Sequence, residues 1–169
     1  MKKSVVGAGE MGSTCCVVFV REVEGKRWCH VGNLGDTRAV ICTDKHIARR
    51  VSIDHKVSNP SETDRITSEG GTILKGRVAG QLAITRALGD LELKQYGVSC
   101  VPDYDEFEVT EQTKYMIVAS DGLWDVCEDQ QAIELCKAKI SAKEMARELV
   151  QYSLNNYSRD NISVLVLKF

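Results

Sequence analysis

Residues 115–126 read Tyr-Met-Ile-Val-Ala-Ser-Asp-Gly-Leu-Trp-Asp-Val, an apolar run that stops at Asp121-Gly122. Tyr115–Ser120 has the character of a buried strand, and the Asp-Gly pair marks its end. Helices follow, near residues 129–139 and 142–155. Ser141 caps the second, and Glu144 closes a capping box. Ala142, Met145, Ala146, Leu149 and Ser153 then recur on one face at helical spacing, a stripe expected to pack on a core. The chain finishes in Ile162–Phe169, a continuous apolar run expected to be a central strand.

Upstream of this stretch strands dominate. Thr14–Val23 is β-branched and apolar, Glu24-Gly25-Lys26 supplies a turn, and Trp28–Leu34 returns. Thr37–Cys42 follows a Gly35-Asp36 corner, so residues 14–42 are expected to form an antiparallel meander. A short helix comes next, with Asn59 as cap, Pro60 at its first position, Glu62 three residues after the cap, and Gly70-Gly71 as its stop. Residues 72–90 mix short strand pieces with Gly76, Gly80 and Gly89. Strands in one block and helices in another define an α+β domain with antiparallel sheets. No repeat or linker interrupts the 169 residues, which are expected to form one domain.

Composition excludes several classes. Hydrophobic residues at 43% and charged residues at 27% are those of an ordinary folded protein. The net charge is -2, and no basic run exceeds the pairs Lys2-Lys3 and Arg49-Arg50, which argues against a nucleic-acid partner. No apolar stretch approaches bilayer-spanning length and no signal-like segment opens the chain. The expectation is an intracellular protein, cytoplasmic or nuclear, with no membrane partner. The seven cysteines are odd in number and form no Cys-x-x-Cys pair, so they are expected to be small buried hydrophobes rather than zinc ligands. A phosphate-cradling Cys-x5-Arg loop is not expected either.

Three carboxylates share a context. Asp36 follows a strand through Gly35, Asp121 ends a strand before Gly122, and Asp160 precedes the last strand. A carboxylate at a strand end is held by rigid backbone yet faces solvent, and a neighbouring glycine lets water or ligand come close. Hard cations such as Mg²⁺ and Mn²⁺ take such oxygen ligands and keep several waters. Turn or cap roles fit the same pattern.

Seven segments carry a wider pattern. Gly12-Ser13-Thr14 opens a strand, and Val31-Gly32-Asn33-Leu34-Gly35-Asp36-Thr37-Arg38-Ala39-Val40 follows. Then come Asp54-His55-Lys56 with Asn59-Pro60, Arg65-Ile66 leading to Gly70-Gly71, and Leu82–Asp90. Ala119–Val126 and Arg159-Asp160-Asn161-Ile162-Ser163 complete the order. Together they resemble the signature blocks of the PP2C (PPM) metal-dependent protein serine/threonine phosphatases. The resemblance implies a β-sandwich of two antiparallel sheets flanked by helices, with two Mn²⁺ or Mg²⁺ ions in a cleft. It assigns Asp121 and Asp160 to the metal cluster and Asp36 to a weaker third ion. The implied reaction is hydrolysis of phosphoserine and phosphothreonine in phosphoprotein substrates by a metal-bridging water, without a covalent intermediate. Asp125 is expected to support the turn. Thr85, Arg86 and Asp90 are expected to form a structural ion-pair or turn set. His55 is expected to be local structure, and neither His30 nor His46 is a catalytic candidate.

The family's Asp-Gly-His-Gly-Gly block does not occur in these residues, and Glu10 is the sole carboxylate before Gly12. The expectation is an N-terminally truncated sandwich whose two-metal site lacks its bridging carboxylate. Three readings follow: a phosphatase completed by another segment or chain, a self-associating fragment that covers its open edge, or a truncated or pseudo-phosphatase acting as a protein-binding module.

Overall fold

The computed structural model describes residues 11–169, so Glu10 lies outside them. The elements begin β1 (Gly12–Ser13), β2 (Cys15–Val23), β3 (Lys26–Leu34), β4 (Arg38–Thr43), β5 (Ala48–Arg50), α1 (Pro60–Ser68), β6 (Ile73–Leu74) and β7 (Arg77–Val78). They continue β8 (Leu88–Gly89), α2 (Leu91–Lys94), β9 (Asp103–Val109), β10 (Thr113–Ala119), α3 (Asp121–Trp124), α4 (Asp129–Cys136), α5 (Ala142–Asn155) and β11 (Val164–Lys168). The chain forms two compact units. One holds residues 11–15 with Asn33–Asp36 and Asp54–Asp103, and the other holds Cys16–Gly32, Thr37–Ile53 and Tyr104–Phe169.

The larger unit contains a four-stranded sheet in the order β11-β10-β4-β5 and a three-stranded sheet in the order β2-β3-β9. Strand periodicity explains how they pack. On β4, Ala39 and Ile41 join Cys29, Val31, Phe107, Val109 and Met116 in a core shared by both sheets. The alternate residues Val40 and Cys42 face the other way and pack with Tyr115, Ile117 and Ala119 against the helices, through Leu123, Trp124, Ile133, Met145 and Leu149. Ile117, Leu123, Ile133 and Leu149 are fully enclosed, each contributing about 2 kcal/mol by removal from water. The result is the expected sandwich with a helical layer on one side.

Two expectations need correction. β2 and β3 form the expected hairpin, but β4 leaves their sheet and pairs antiparallel with β10 and β5. A meander would leave one face of β4 open, whereas four of its six residues are buried. The C-terminal run is also not central. β11 pairs antiparallel with β10 and ends its sheet among the described residues, with Leu165 exposed. A run apolar on both faces looks the same whether it is an inner strand or an edge strand.

The helix ends behave as their sequences dictate. Glu144 N–H donates to Ser141 Oγ (3.2 Å) and Ser141 N–H donates to Glu144 Oε2 (3.0 Å), closing the capping box of α5. In the smaller unit Asn59 accepts the Ser61 N–H (3.2 Å) and Pro60 opens α1. Here α1 rests on a core of Ile66, Val78, Ala87 and Val98, beside the two-stranded ribbons β1-β8 and β6-β7.

Candidate metal centre

The larger unit brings the segment around Asp121 against the segment around Asp160. The β10–β11 ladder closes with Ala119 opposite Val164. Beyond it Ser120 N–H donates to the Ser163 carbonyl (3.0 Å), and Ser163 N–H donates to Ser120 Oγ (3.1 Å). Ser120 Oγ in turn donates to the Asn161 carbonyl (3.1 Å). Gly122 then lies flat against Asn161, where any Cβ would collide with that carbonyl oxygen. Ser158 Oγ donates to the Gly122 carbonyl (2.6 Å) and completes the clasp. The glycine of Asp121-Gly122 is thus required by close approach of two chain segments. Asp121, as first residue of α3, and Asp160, just before Asn161, stand on adjoining turns at one end of the sheet.

Asp36 belongs to the smaller unit and is buried, with Lys56 Nζ 3.5 Å from its carboxylate. Burial raises its pKa, and the Lys56 ammonium offsets part of that rise. The preceding Gly35 has φ +104° and packs on Thr14, a position closed to other residues. His55 holds this corner from both sides. Gly35 N–H donates to His55 Nδ1 (3.0 Å), and His55 N–H donates to the Gly35 carbonyl (3.0 Å). Since Nδ1 accepts, the ring proton sits on Nε2 and points to Asp103 Oδ2, 2.9 Å away. His55 is therefore structural, as the sequence led us to expect.

Behind it lies an ion network that sequence reasoning missed. Arg86 donates to Asp103 Oδ1 (3.0 Å) and to both oxygens of Glu62, the shortest at 2.6 Å. Thr85 Oγ1 (2.6 Å) and Arg65 (3.1 Å) also donate to Glu62. Burial alone would raise the Glu62 pKa, but the hydrogen bonds from Arg86, Thr85 and Arg65 outweigh it and bring it to about 2. Thr85 and Arg86 are the structural pair anticipated. Asp90 is not their partner but precedes α2 at φ 45°. Glu62 stands at a capping-box position, which masked its role, and no pattern in the sequence flagged Asp103.

Asp125 ends α3, its N–H donating to the Asp121 carbonyl (2.8 Å). Cys15 and Arg21 do stand at Cys-x5-Arg spacing. They lie along strand β2, however, about 20 Å apart at the rise of an extended chain, so they form no phosphate loop. Arg21 instead donates to His30 Nε2 (2.9 Å). Cys29, Cys42, Cys127 and Cys136 are buried as expected, Cys15 and Cys16 are partly buried, and Cys100 is exposed.

The family model for protein phosphatase 2C matches residues 2–162. The chain belongs to the protein phosphatase 2C family. The match starts ten residues before Gly12, where the recognisable blocks begin. The chain is 40% identical over 159 residues to protein phosphatase 2C homolog 1 of Schizosaccharomyces pombe, covering 92% of this chain and 45% of that protein. It is 40% identical over 142 residues to the Saccharomyces cerevisiae protein of the same name, covering 84% and 50%. A serine-threonine phosphatase 2C from Toxoplasma gondii superposes with a TM-score of 0.74 at 30% identity, over 92% of this chain and 58% of that one. A second Toxoplasma gondii phosphatase reaches 0.78 at 28% identity, over 86% and 49%. The chain thus spans about half the length of the curated relatives it matches.

Protein phosphatase 2C proteins are metal-dependent, and the donors present here fit part of such a centre. Two carboxylates on adjoining turns suit one hard cation that keeps its waters. Among the described residues no group of three His, Cys, Asp or Glu side chains stands together to cage an ion. Asp121 and Asp160 would be the oxygen donors that the larger unit offers to such a centre.

Proposed function

We propose that this chain carries the metal-binding rim of a protein serine/threonine phosphatase and acts on phosphoserine and phosphothreonine in phosphoprotein substrates. One observation carries the reading. Ser120 and Gly122 lie against residues 161–163 and Ser158 holds the Gly122 carbonyl, so the backbone at Asp121 runs close to the segment that carries Asp160, which supports this reading. In this reading Asp121 and Asp160 hold Mn²⁺ or Mg²⁺, and Asp36 contributes to a weaker ion. When bound, the metal supplies a water activated for direct attack and neutralises the phosphate oxygens. The chain's own residues would orient the two carboxylates, with Gly122 letting the two turns approach closely.

A second reading is a phosphoprotein-binding module with little turnover. Either reading includes a second copy or a complementing chain against the exposed edge and face of the sandwich. Hydrolysis of a phosphothreonine peptide, with and without Mn²⁺, separates the two. Metal-dependent turnover that Asp121→Asn abolishes supports the phosphatase. A folded chain that binds the peptide without turnover supports the module.

A further inference from the structure

Beside the rim, in the same unit, two arginines from the sheet converge on one carboxylate of the helical layer. Arg38 donates to Asp129 Oδ1 (2.7 Å). Arg50 donates to Asp129 Oδ2 (2.8 Å) and Oδ1 (3.0 Å), the paired geometry that suits a guanidinium and a carboxylate. Asp129 is the first residue of α4, where a negative charge also meets the positive end of the helix. The Arg38 guanidinium does a second thing: it lies 5.1 Å from the ring centre of Trp124. Trp124 is buried, and its Nε1–H donates to the Ala119 carbonyl (2.9 Å).

These contacts share a geometric consequence. Trp124 is the last residue of the four-residue helix whose first residue is Asp121. Its indole is fixed at one edge by the end of β10 and on one face by Arg38. Arg38 in turn is held in place by Asp129. Gln130 repeats the tie, accepting the Ala48 N–H (2.9 Å) and donating to the His46 carbonyl (2.9 Å). A short helix of one turn has too few internal hydrogen bonds to hold its own orientation. Its orientation is therefore set from outside.

We infer that Asp129, Arg38 and Trp124 are positioning residues that fix the Asp121 turn, and with it the cation affinity of the rim. The inference rests on the metal reading of Asp121 given above. Neither Arg38 nor Asp129 needs to touch the ion. The ion pair fixes the plane of the guanidinium, the guanidinium fixes the indole, and the indole fixes the helix that presents Asp121. Partners one layer removed from a metal ligand typically change its affinity by 10- to 100-fold. Arg38→Lys should be disruptive even though it keeps the charge, because an ammonium has neither the planar face nor the fork.

The test is Mn²⁺ calorimetry together with hydrogen exchange at residues 120–126, on the parent chain, Asp129→Asn, Arg38→Lys, Asp121→Asn and Ile133→Val. Ile133→Val trims the core that α4 shares with Trp124 without touching the ion pair, and sets the level expected from lost stability alone. Asp129→Asn and Arg38→Lys should each weaken Mn²⁺ binding about tenfold and speed exchange at 121–125, while Ile133→Val does neither. Asp121→Asn should lose binding without faster exchange. If Asp129→Asn and Arg38→Lys behave as Ile133→Val does, the inference is overturned. If the parent takes up no Mn²⁺, the metal reading itself fails. Exchange then decides alone: unchanged protection of 121–125 in Asp129→Asn overturns the positioning role, and local loss of protection supports it.

Discussion

Gly122 and Asn161 touch backbone to backbone, with no room for a Cβ between the glycine and the asparagine carbonyl. This contact draws the end of β10 onto the segment that leads into β11. It is the reason Asp121 and Asp160, 39 residues apart in the chain, share one rim.

Gly122→Ala should therefore cost about 1–3 kcal/mol, the range for forcing a methyl group into a packed contact. The denaturant midpoint of the variant measures it. An unchanged midpoint would mean that the 158–163 segment yields freely and does not clasp the rim.

The buried Glu62 makes stability depend on pH. Its pKa, brought to about 2 in the fold, lies below the ordinary glutamate value, so its contribution is fully present above about pH 4.5 and is lost as pH falls through about 2. The drop corresponds to a contribution on the order of 3 kcal/mol. Glu62→Gln should destabilise the chain near neutrality, and the gap from the parent should narrow below about pH 4. Denaturation curves across the acid range read this directly, and a gap that stays constant would remove Glu62 from the account.

His55 should carry its ring proton on Nε2, because Nδ1 accepts from the Gly35 N–H. Nitrogen-15 shifts of the ring distinguish the tautomers. A proton on Nδ1 would contradict the Gly35 contact. His55→Ala leaves the Gly35 N–H unpaired in the interior, at a cost of about 1–3 kcal/mol.

Much of this was legible in the sequence, and the failures have physical causes. The helix caps at Asn59 and Ser141 and the hairpin of β2 and β3 follow from local chemistry, and the structure forms them. The sheet assignment of β4 does not, because its residues 39–42 are apolar on both faces and alternation gives no clue to which sheet they join. β11 was misplaced for the same reason. At the site, Asp-Gly could be read as a turn, but the neighbour that makes glycine obligatory is 39 residues away. Glu62 and Asp103 escaped notice because buried ion pairs leave no periodic mark.

The three-stranded sheet leaves an apolar outer face. Val17 and Phe19 on β2 and Tyr104 on β9 are exposed, with the His30 ring between Phe19 and Tyr104 at 6.1 and 5.9 Å. Such a face favours association, so sedimentation should show a dimer that Phe19→Lys weakens. A parent chain that stays monomeric at high concentration would count against self-association and leave a complementing chain as the cover.

The central claim is that Asp121 and Asp160 form one cation site, and a double-mutant cycle of Mn²⁺ affinity tests it most directly. Residues that share a ligand are strongly non-additive. Calorimetry should find that Asp121→Asn and Asp160→Asn each abolish most of the binding and that the double variant is no worse than either. Single variants that bind as the parent does, or losses that simply add, would contradict the shared rim.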